Sequence, residues 1–200
     1  QEFGIKEDEI VIGSVGSLVK RKRFNDLIKV IARLRGQESG VRGQNTDNPP
    51  IPPDKSPHPP FSKGGQGGIK DGGSKGGKIK CVIIGDGPER ESLQREIDKN
   101  KLNENVILTG FKSDAISYIN ALDIFILLSE REGFPRVILE AMLMGKPVLA
   151  SRVAGPAELV INGETGFLVP VGRHEMFAAA ILKLIKNPEL RQQMGQRGRQ

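Results

Sequence analysis

The chain alternates short apolar runs with longer stretches in which apolar residues recur at helical spacing. The predicted strands are 10–15, 80–84, 105–109, 124–128, 147–150 and 167–169, and the predicted helices cover 24–34, 89–100, 115–121, 136–144, 157–160 and 174–186. The runs 80–84 and 124–128 are uninterrupted and rich in Ile, Val and Leu, as strands buried on both faces are. Alternation of such strands with helices predicts a doubly wound α/β fold with a mostly parallel sheet.

The segment 37–77 breaks this pattern. It holds 10 of the 25 glycines, 7 of the 13 prolines and only four hydrophobic residues. So few apolar groups cannot offset the entropy that is lost when a chain becomes ordered. We therefore expect one domain formed by 1–36 and 78–200, interrupted by a disordered Pro/Gly-rich insert at 37–77.

The apolar runs are too short to cross a membrane. The longest, 176–182, has seven residues, against the roughly 18 to 20 that a membrane span needs. The start of the chain has neither an initiator Met nor the pattern of a secretion signal, so we expect a piece of a longer, cytoplasmic protein. Its single cysteine, Cys81, lies in an apolar run and is expected to be a buried, inert thiol in a reducing compartment.

The charge of the chain favours anionic partners. The formal net charge is +6, and the segment 37–77 contributes five cations and four anions, so a surplus of +5 belongs to the rest. Nucleic acid, a membrane surface and phosphorylated small molecules all suit such a balance. Nucleic acid is the weakest of the three, because the chain has eight Phe, one Tyr and no Trp with which to stack bases.

In a doubly wound sheet, ligands bind beyond the carboxyl ends of the strands. Two carboxylates are candidates for ligand binding there: Glu132 follows the predicted strand 124–128, and Glu140 lies on the next helix. The N-terminus of that helix offers free amides and a partial positive charge that suit phosphate. Spacing alone leaves a second interpretation open, in which Glu140 pairs with Arg136 at i, i+4 and Glu132 belongs to a solvated Glu130–Glu132 cluster.

The segment 129–142 resembles the E-x7-E signature of the family 4 (group 1) retaining glycosyltransferases, with Glu132 and Glu140 as the two acids. Further segments resemble motifs of that family in the family's order: 15–19 with Lys22, 84–88, 110–111, 145–151, 154–158 and 162–169. These matches cover nearly all of the chain outside the insert. The resemblance implies the C-terminal, donor-binding half of a GT-B fold, which is built from two Rossmann-like domains.

The resemblance also implies a function and a set of site residues. The family transfers a sugar, as a hexosyltransferase does, from a UDP-, GDP- or ADP-linked donor to an acceptor with retention of configuration. The implied catalytic residues are Glu132, which holds a hydroxyl of the donor sugar, and Lys22, which contacts the diphosphate. The implied donor-binding residues are Gly16, Ser17, Lys22, Gly110, Phe111, Glu132, Gly133, Phe134, Pro135 and Glu140, with Glu140 at the ribose and Phe111 beside the base.

Neither a metal ion nor another cofactor is expected. The chain has no Asp-x-Asp pair, and its two histidines, His58 and His174, lie in the insert and in a C-terminal helix. The negative charge that grows on a departing nucleoside diphosphate must still be stabilised. We expect a lysine and a helix N-terminus to do so.

The expected partners follow from the same resemblance. They are the nucleotide-sugar donor, an N-terminal acceptor domain absent from these 200 residues, and a membrane-associated glycan or lipid acceptor of cell-envelope polysaccharide biosynthesis, but no nucleic acid. The protein would then be cytoplasmic or peripheral at the inner face of the membrane. We expect the 200 residues alone to bind a nucleoside diphosphate weakly and to transfer sugar slowly or not at all.

Two of the departures from the family's pattern concern phosphate binding. Ser17 stands where the family usually has Arg, and Arg23 stands where it usually has Gly. Lys20, Arg21 and Arg23 are the candidates to replace the missing cation. A noncatalytic nucleotide-binding fragment, or a decayed copy of an enzyme, therefore remains an alternative, and the run 20–23 is also typical of a solvated face.

Overall fold

The computed structural model describes residues 4–6, 8–39 and 78–200. Six strands form one parallel sheet in the order β3-β2-β1-β4-β5-β6. They are β1 (Ile10–Val15), β2 (Ile79–Ile84), β3 (Val106–Gly110), β4 (Ile124–Leu127), β5 (Val148–Ser151) and β6 (Gly166–Val169). The predicted doubly wound, Rossmann-like α/β fold is confirmed.

Seven α-helices cover the sheet within the described residues. They are α1 (Phe24–Ser39), α2 (Arg90–Lys99), α3 (Ala115–Asn120), α4 (Arg136–Leu143), α5 (Ala154–Leu159), α6 (His174–Lys186) and α7 (Pro188–Arg199). One apolar layer joins the sheet to α1, α2 and α6, and the other joins it to α3, α4 and α5. Because successive strand residues point to opposite faces, Ile12 enters the first layer and Val11 the second.

The strand order places the candidate site. It reverses between β1 and β4, so the chain leaves these two adjacent strands toward opposite faces of the sheet. A crevice opens at the carboxyl ends of the strands at such a switch point, and ligands of this fold class bind there. The loops that follow β1 and β4 form its walls.

Two glycines let the loop after β2 pack directly against the loop after β1. A Cβ at Gly85 would lie 2.0 Å from the carbonyl oxygen of Gly16, and one at Gly87 would lie 2.7 Å from that of Leu18. The amide of Leu18 donates to the carbonyl of Asp86 at 2.9 Å. The motif at 84–88 therefore supports the β1 wall of the crevice.

The main differences from the predicted elements lie in short or polar segments. A 3-10 helix, Lys20–Lys22, precedes α1, and α5 begins at Ala154 rather than 157. The sequence pattern did not predict α7, which packs against α4, α6 and β6. Helix α1 runs to Ser39, three residues past the predicted domain boundary; the rest of the predicted insert, 40–77, lies outside the described residues.

Two further expectations concern burial. Cys81 is fully buried in the sheet, and burial raises the pKa of its thiol to about 12. This agrees with the expected inert thiol. In the described part of the chain, no helix combines the length and apolarity that a membrane crossing requires.

Candidate functional site

Lys22 and Glu132 meet across the crevice, although 110 positions separate them in the chain. Lys22 Nζ donates to Glu132 Oε1 at 2.6 Å. The side chains are 12% and 9% exposed, so most of the ion pair is withdrawn from water. The solvated-cluster interpretation is therefore wrong for Glu132.

The loops deliver both groups to one place. Lys22 ends the 3-10 helix that follows β1, and Glu132 lies between β4 and α4. The amide of Glu130 donates to the carbonyl of Arg21 at 2.8 Å, which ties the two loops at backbone level. Gly16 lies beside the pair, since a Cβ there would be 3.5 Å from Lys22 Cε.

Glu140 lies in the second turn of α4, the helix that begins at this crevice. It is partly buried, beside Ile138, Ala141 and Met142, which face the sheet. Within the described residues, no hydrogen bond or ion pair engages its carboxylate, and the alternative pair with Arg136 does not form. The structure does not bring Glu140 into contact with Lys22 or Glu132, because Glu140 lies beyond the loop, in the second turn of α4.

The loop 133–135 is held against α5 and leads into α4. A Cβ at Gly155 would lie 2.1 Å from the carbonyl oxygen of Gly133, and the Gly155 amide donates to the carbonyl of Glu132 at 3.1 Å. Pro135 is buried, whereas Phe134 is 60% exposed. Among the described residues, no side chain caps the N-terminus of α4, so the helix can present its first amides to an anion.

The other predicted donor-binding residues lie on the same edge of the sheet. Gly16 and Ser17 follow β1, and Ser17 is exposed. Gly110 ends β3 with φ +75°, and Phe111 beyond it is 77% exposed. Because β3 lies two strands from β1, Gly110 and Phe111 are roughly 10 Å from the Lys22 side of the crevice along the sheet edge.

Arg23 takes part in a second group of charges, on the outer side of the crevice. Its Nη1 lies 2.6 Å from Glu130 Oε1, and its Nε donates to Asp26. Asp26 is 5% exposed and also lies 3.0 Å from His174 Nε2. Burial alone pushes the pKa of Asp26 up, but the Arg23 hydrogen bond and the charges of His174 and Arg23 outweigh it and hold this pKa below its usual value.

This outer group was not predicted from the sequence. Arg23 was a candidate phosphate ligand, but its guanidinium is engaged by Asp26 and Glu130 instead. A cavity of about 270 Å³ beside the N-terminus of α1 is lined partly by Arg23, Asp26 and Glu130, and not by Lys22 or Glu132. The spacing of Arg23 and Asp26 at i, i+3 was the one available signal.

The described residues include no group of three or more His, Cys, Asp or Glu side chains arranged to hold a metal ion. The crevice itself offers an ammonium group, two carboxylates and the amides of a helix N-terminus. Such a set can bind hydroxyls and phosphates together.

Comparison with known proteins identifies relatives. Residues 70–200, more than half of the chain, match the model of the family described as "Glycosyl transferases group 1"; this range contains Glu132 and Glu140, and Lys22 precedes it. The chain is 40% identical over 128 residues to the capsular polysaccharide biosynthesis glycosyltransferase CapM of Staphylococcus aureus, covering 63% of this chain and 33% of that protein. The chain spans less than half of the length of the curated relatives it matches, between 33% and 44% for three of them.

Solved structures share the fold. HepE of Anabaena, crystallised in complex with UDP, has a TM-score of 0.71 at 24% identity over 96% of this chain and 43% of its own. The C-terminal domain of the group 1 family protein LpcC of Francisella tularensis has a TM-score of 0.69 at 22% identity over 95% of this chain and 82% of its own. These two likenesses concern the fold, whereas the family is given by the sequence match. The chain belongs to the group 1 glycosyl transferases.

Proposed function

We propose that this chain is the donor-binding half of a nucleotide-sugar-dependent glycosyltransferase. One observation carries the proposal: the Lys22–Glu132 pair, 2.6 Å apart, lies at the switch point of the sheet in a member of the group 1 family. Such a pair suits a ligand in which a sugar is joined to a diphosphate, because the cation can bind the diphosphate and the carboxylate can accept from a sugar hydroxyl. The UDP bound by the structural relative HepE has the same phosphate chemistry.

Lys22 can bind phosphate without releasing Glu132. An ammonium group has three N–H donors, and the pair uses one of them. The remaining donors and the uncapped first turn of α4 would stabilise the charge that develops on the diphosphate when the anomeric bond breaks. This arrangement supports transfer without a metal ion or another cofactor.

Glu132 and Glu140 would hold the hydroxyls of the donor. Glu132 uses Oε1 for Lys22, and its Oε2 can accept from a hydroxyl of the transferred sugar. Glu140, without a partner in the described residues, would accept from the ribose. Gly110 and Phe111 at the end of β3 would lie beside the base, so the nucleotide would stretch along the strand ends from β4 toward β3.

The finer assignment follows the resemblance to family 4. We propose transfer with retention, and a place for this chain as the C-terminal half of a GT-B enzyme whose N-terminal domain binds the acceptor. Relatives named for capsular polysaccharide and for lipopolysaccharide core biosynthesis support a cell-envelope glycan or lipid as the acceptor. A peripheral position at the inner face of the membrane would suit such an acceptor.

Ligand-observed NMR with UDP, GDP and ADP tests donor binding. Lys22→Ala should weaken the preferred nucleoside diphosphate about ten- to a hundredfold, because a charge-assisted hydrogen bond is lost. Glu132→Gln should remove any gain in affinity that comes from the attached sugar. Matched controls are Lys186→Ala, in the last turn of α6, and Glu104→Gln, before β3; both lie at the opposite edge of the sheet and should bind as wild type does.

The outcomes separate the candidate functions. Saturable binding that depends on Lys22 supports the proposal, and binding of oligonucleotide in preference to all three nucleotides contradicts it. A noncatalytic nucleotide-binding module would bind the diphosphate but show no transfer even when the chain is joined to an acceptor domain. Detectable turnover by the 200 residues alone would contradict our expectation that this part needs its acceptor half.

A further inference from the structure

Two ion pairs bridge the same two loops, one inside the crevice and one outside it. The inner pair is Lys22–Glu132 and the outer pair is Arg23–Glu130, each with an N–O distance of 2.6 Å. Lys22 and Arg23 are adjacent in sequence, and Glu130 and Glu132 are two positions apart. We call the outer pair, together with the Asp26 carboxylate bound to Arg23, the clasp.

The backbone at Arg23 is in a conformation that arginine rarely adopts. Its φ and ψ are 51° and 37°, in the left-handed region. A side chain with a Cβ is disfavoured there and persists only where its surroundings hold it. The guanidinium supplies that hold, since Arg23 is only 26% exposed and contacts two carboxylates.

This left-handed turn separates the directions of the two cations. It ends the 3-10 helix Lys20–Lys22 and begins α1, so Lys22 meets the crevice carboxylate while Arg23 meets Asp26 and Glu130 on the other side. The clasp therefore fixes the loop that carries Lys22 to α1 and to the loop that carries Glu132. Its partners are all outside the set of residues assigned to the donor.

We infer that Arg23 is a positioning residue that keeps Lys22 and Glu132 opposed when a ligand binds to the inner pair. This inference rests on the proposed function. A diphosphate bound to Lys22 and a sugar hydroxyl bound to Glu132 both weaken the contact that joins the two loops. The clasp is not touched by the ligand, so the loops stay in register throughout.

Arg23→Gly is the informative variant. Glycine adopts a φ of 51° without strain, so the turn remains while the guanidinium is lost. Affinity for the nucleoside diphosphate should fall roughly three- to tenfold, as expected when one of two coupled contacts is removed. Glu130→Gln should give the same loss, and the double variant should lose no more than either single one.

A second readout does not depend on any ligand. Hydrogen exchange of the Glu130 amide, which donates to Arg21, should speed up several-fold in Arg23→Gly, while amides in the central strands exchange as in wild type. Arg33→Ala is the matched control, because it removes an exposed pair of equal length, Arg33–Glu175, between α1 and α6. The control should change neither affinity nor exchange at Glu130.

The proposed function and the inference fail separately. If wild type binds no nucleotide, the proposed function fails, and exchange at Glu130 still decides whether the clasp positions the loop. If wild type binds but Arg23→Gly and Glu130→Gln bind equally well, the inference is overturned. Unchanged exchange at Glu130 in Arg23→Gly overturns it as well.

Discussion

The Lys22–Glu132 pair combines a structural and a binding role in one contact. Both side chains are nearly buried, and a buried charge without its partner is costly. Lys22→Met should therefore lower the free energy of unfolding by about 1–3 kcal/mol, since it leaves a desolvated carboxylate unpaired. Urea unfolding measures this change.

A double-mutant cycle supplies the control for that prediction. Glu132→Gln in the Lys22→Met background removes the orphaned charge and should restore part of the lost stability. Two independent losses that simply add would contradict the contact, because neighbouring residues that interact are non-additive.

Cys81 offers a test of burial at a single atom. Burial raises the pKa of this thiol to about 12, and the thiolate is the form that reacts. Native protein should react with a thiol reagent at about pH 8 only as fast as it unfolds, and urea-unfolded protein should react at once. The chain has one cysteine, so rapid reaction of one equivalent in the native state would show that the strand interior is accessible.

The sequence could predict Cys81 but not the partner of Lys22, for a physical reason. Burial of Cys81 follows from its own apolar run, which is local information. The contact between Lys22 and Glu132 depends on how two loops 110 positions apart close over the switch point. The family resemblance put both residues in one site, and only the structure shows that they touch.

At the scale of elements, α7 shows how tertiary packing can override local pattern. Its twelve residues include two glycines and three glutamines, and its only large apolar residues are Leu190 and Met194. Met194 is nevertheless buried in the apolar layer. The strands could be predicted because their apolar runs are continuous, whereas α7 is stabilised mainly by the neighbours it packs on.

Gly195 should be essential for the docking of α7. A Cβ there would lie 1.9 Å from the carbonyl oxygen of Gly145, which is backbone and cannot rotate away. Gly195→Ala should therefore destabilise the protein by about 1–3 kcal/mol despite the better helix propensity of alanine. Gly36→Ala in α1 is the matched control: a Cβ there meets none of the described residues within 4 Å, so it should stabilise by about 0.5–1 kcal/mol.

Thermal or urea unfolding of the two variants decides this prediction. Opposite signs for Gly195→Ala and Gly36→Ala are expected. An unchanged or raised stability of Gly195→Ala would mean that α7 does not approach the turn before β5 so closely.

The Asp26 group links α1, α6 and the loop after β4. Protonation of Asp26 weakens these contacts, so the stability of the protein depends on pH. The native pKa of Asp26 is lowered, and the pKa of an Asp in an unfolded chain is about 3.9. Between these pKa values the unfolded chain binds more protons, so stability rises with pH in that window. The contribution of Asp26 is complete above about pH 3.9 and is lost as the pH falls through the native pKa.

Asp26→Asn should therefore flatten the acid side of the stability curve. The free energy of unfolding, measured by urea titration from about pH 6 down to the lowest pH at which the protein folds, should fall less steeply in the variant. An equal slope in both proteins would contradict the lowered pKa.

At the scale of the whole molecule, the switch point of the sheet organises every residue assigned to the donor. The loops after β1, β3 and β4, together with helix α4, carry them, and the strand order brings these loops to one edge. The fold class was predictable because alternation of buried strands and helices allows few architectures. The order of the strands was not, since periodicity along a chain does not state which strands are neighbours.

Amide NMR spectra of the 200 residues, titrated with UDP, GDP and ADP, test the central claim most directly. At least one nucleotide should bind saturably and shift the amides of 16–23, 110–111 and 132–140 together, with the opposite edge of the sheet unchanged. Shifts confined to other surfaces, or no saturable shift with any of the three, would contradict a nucleotide-sugar site at the crevice.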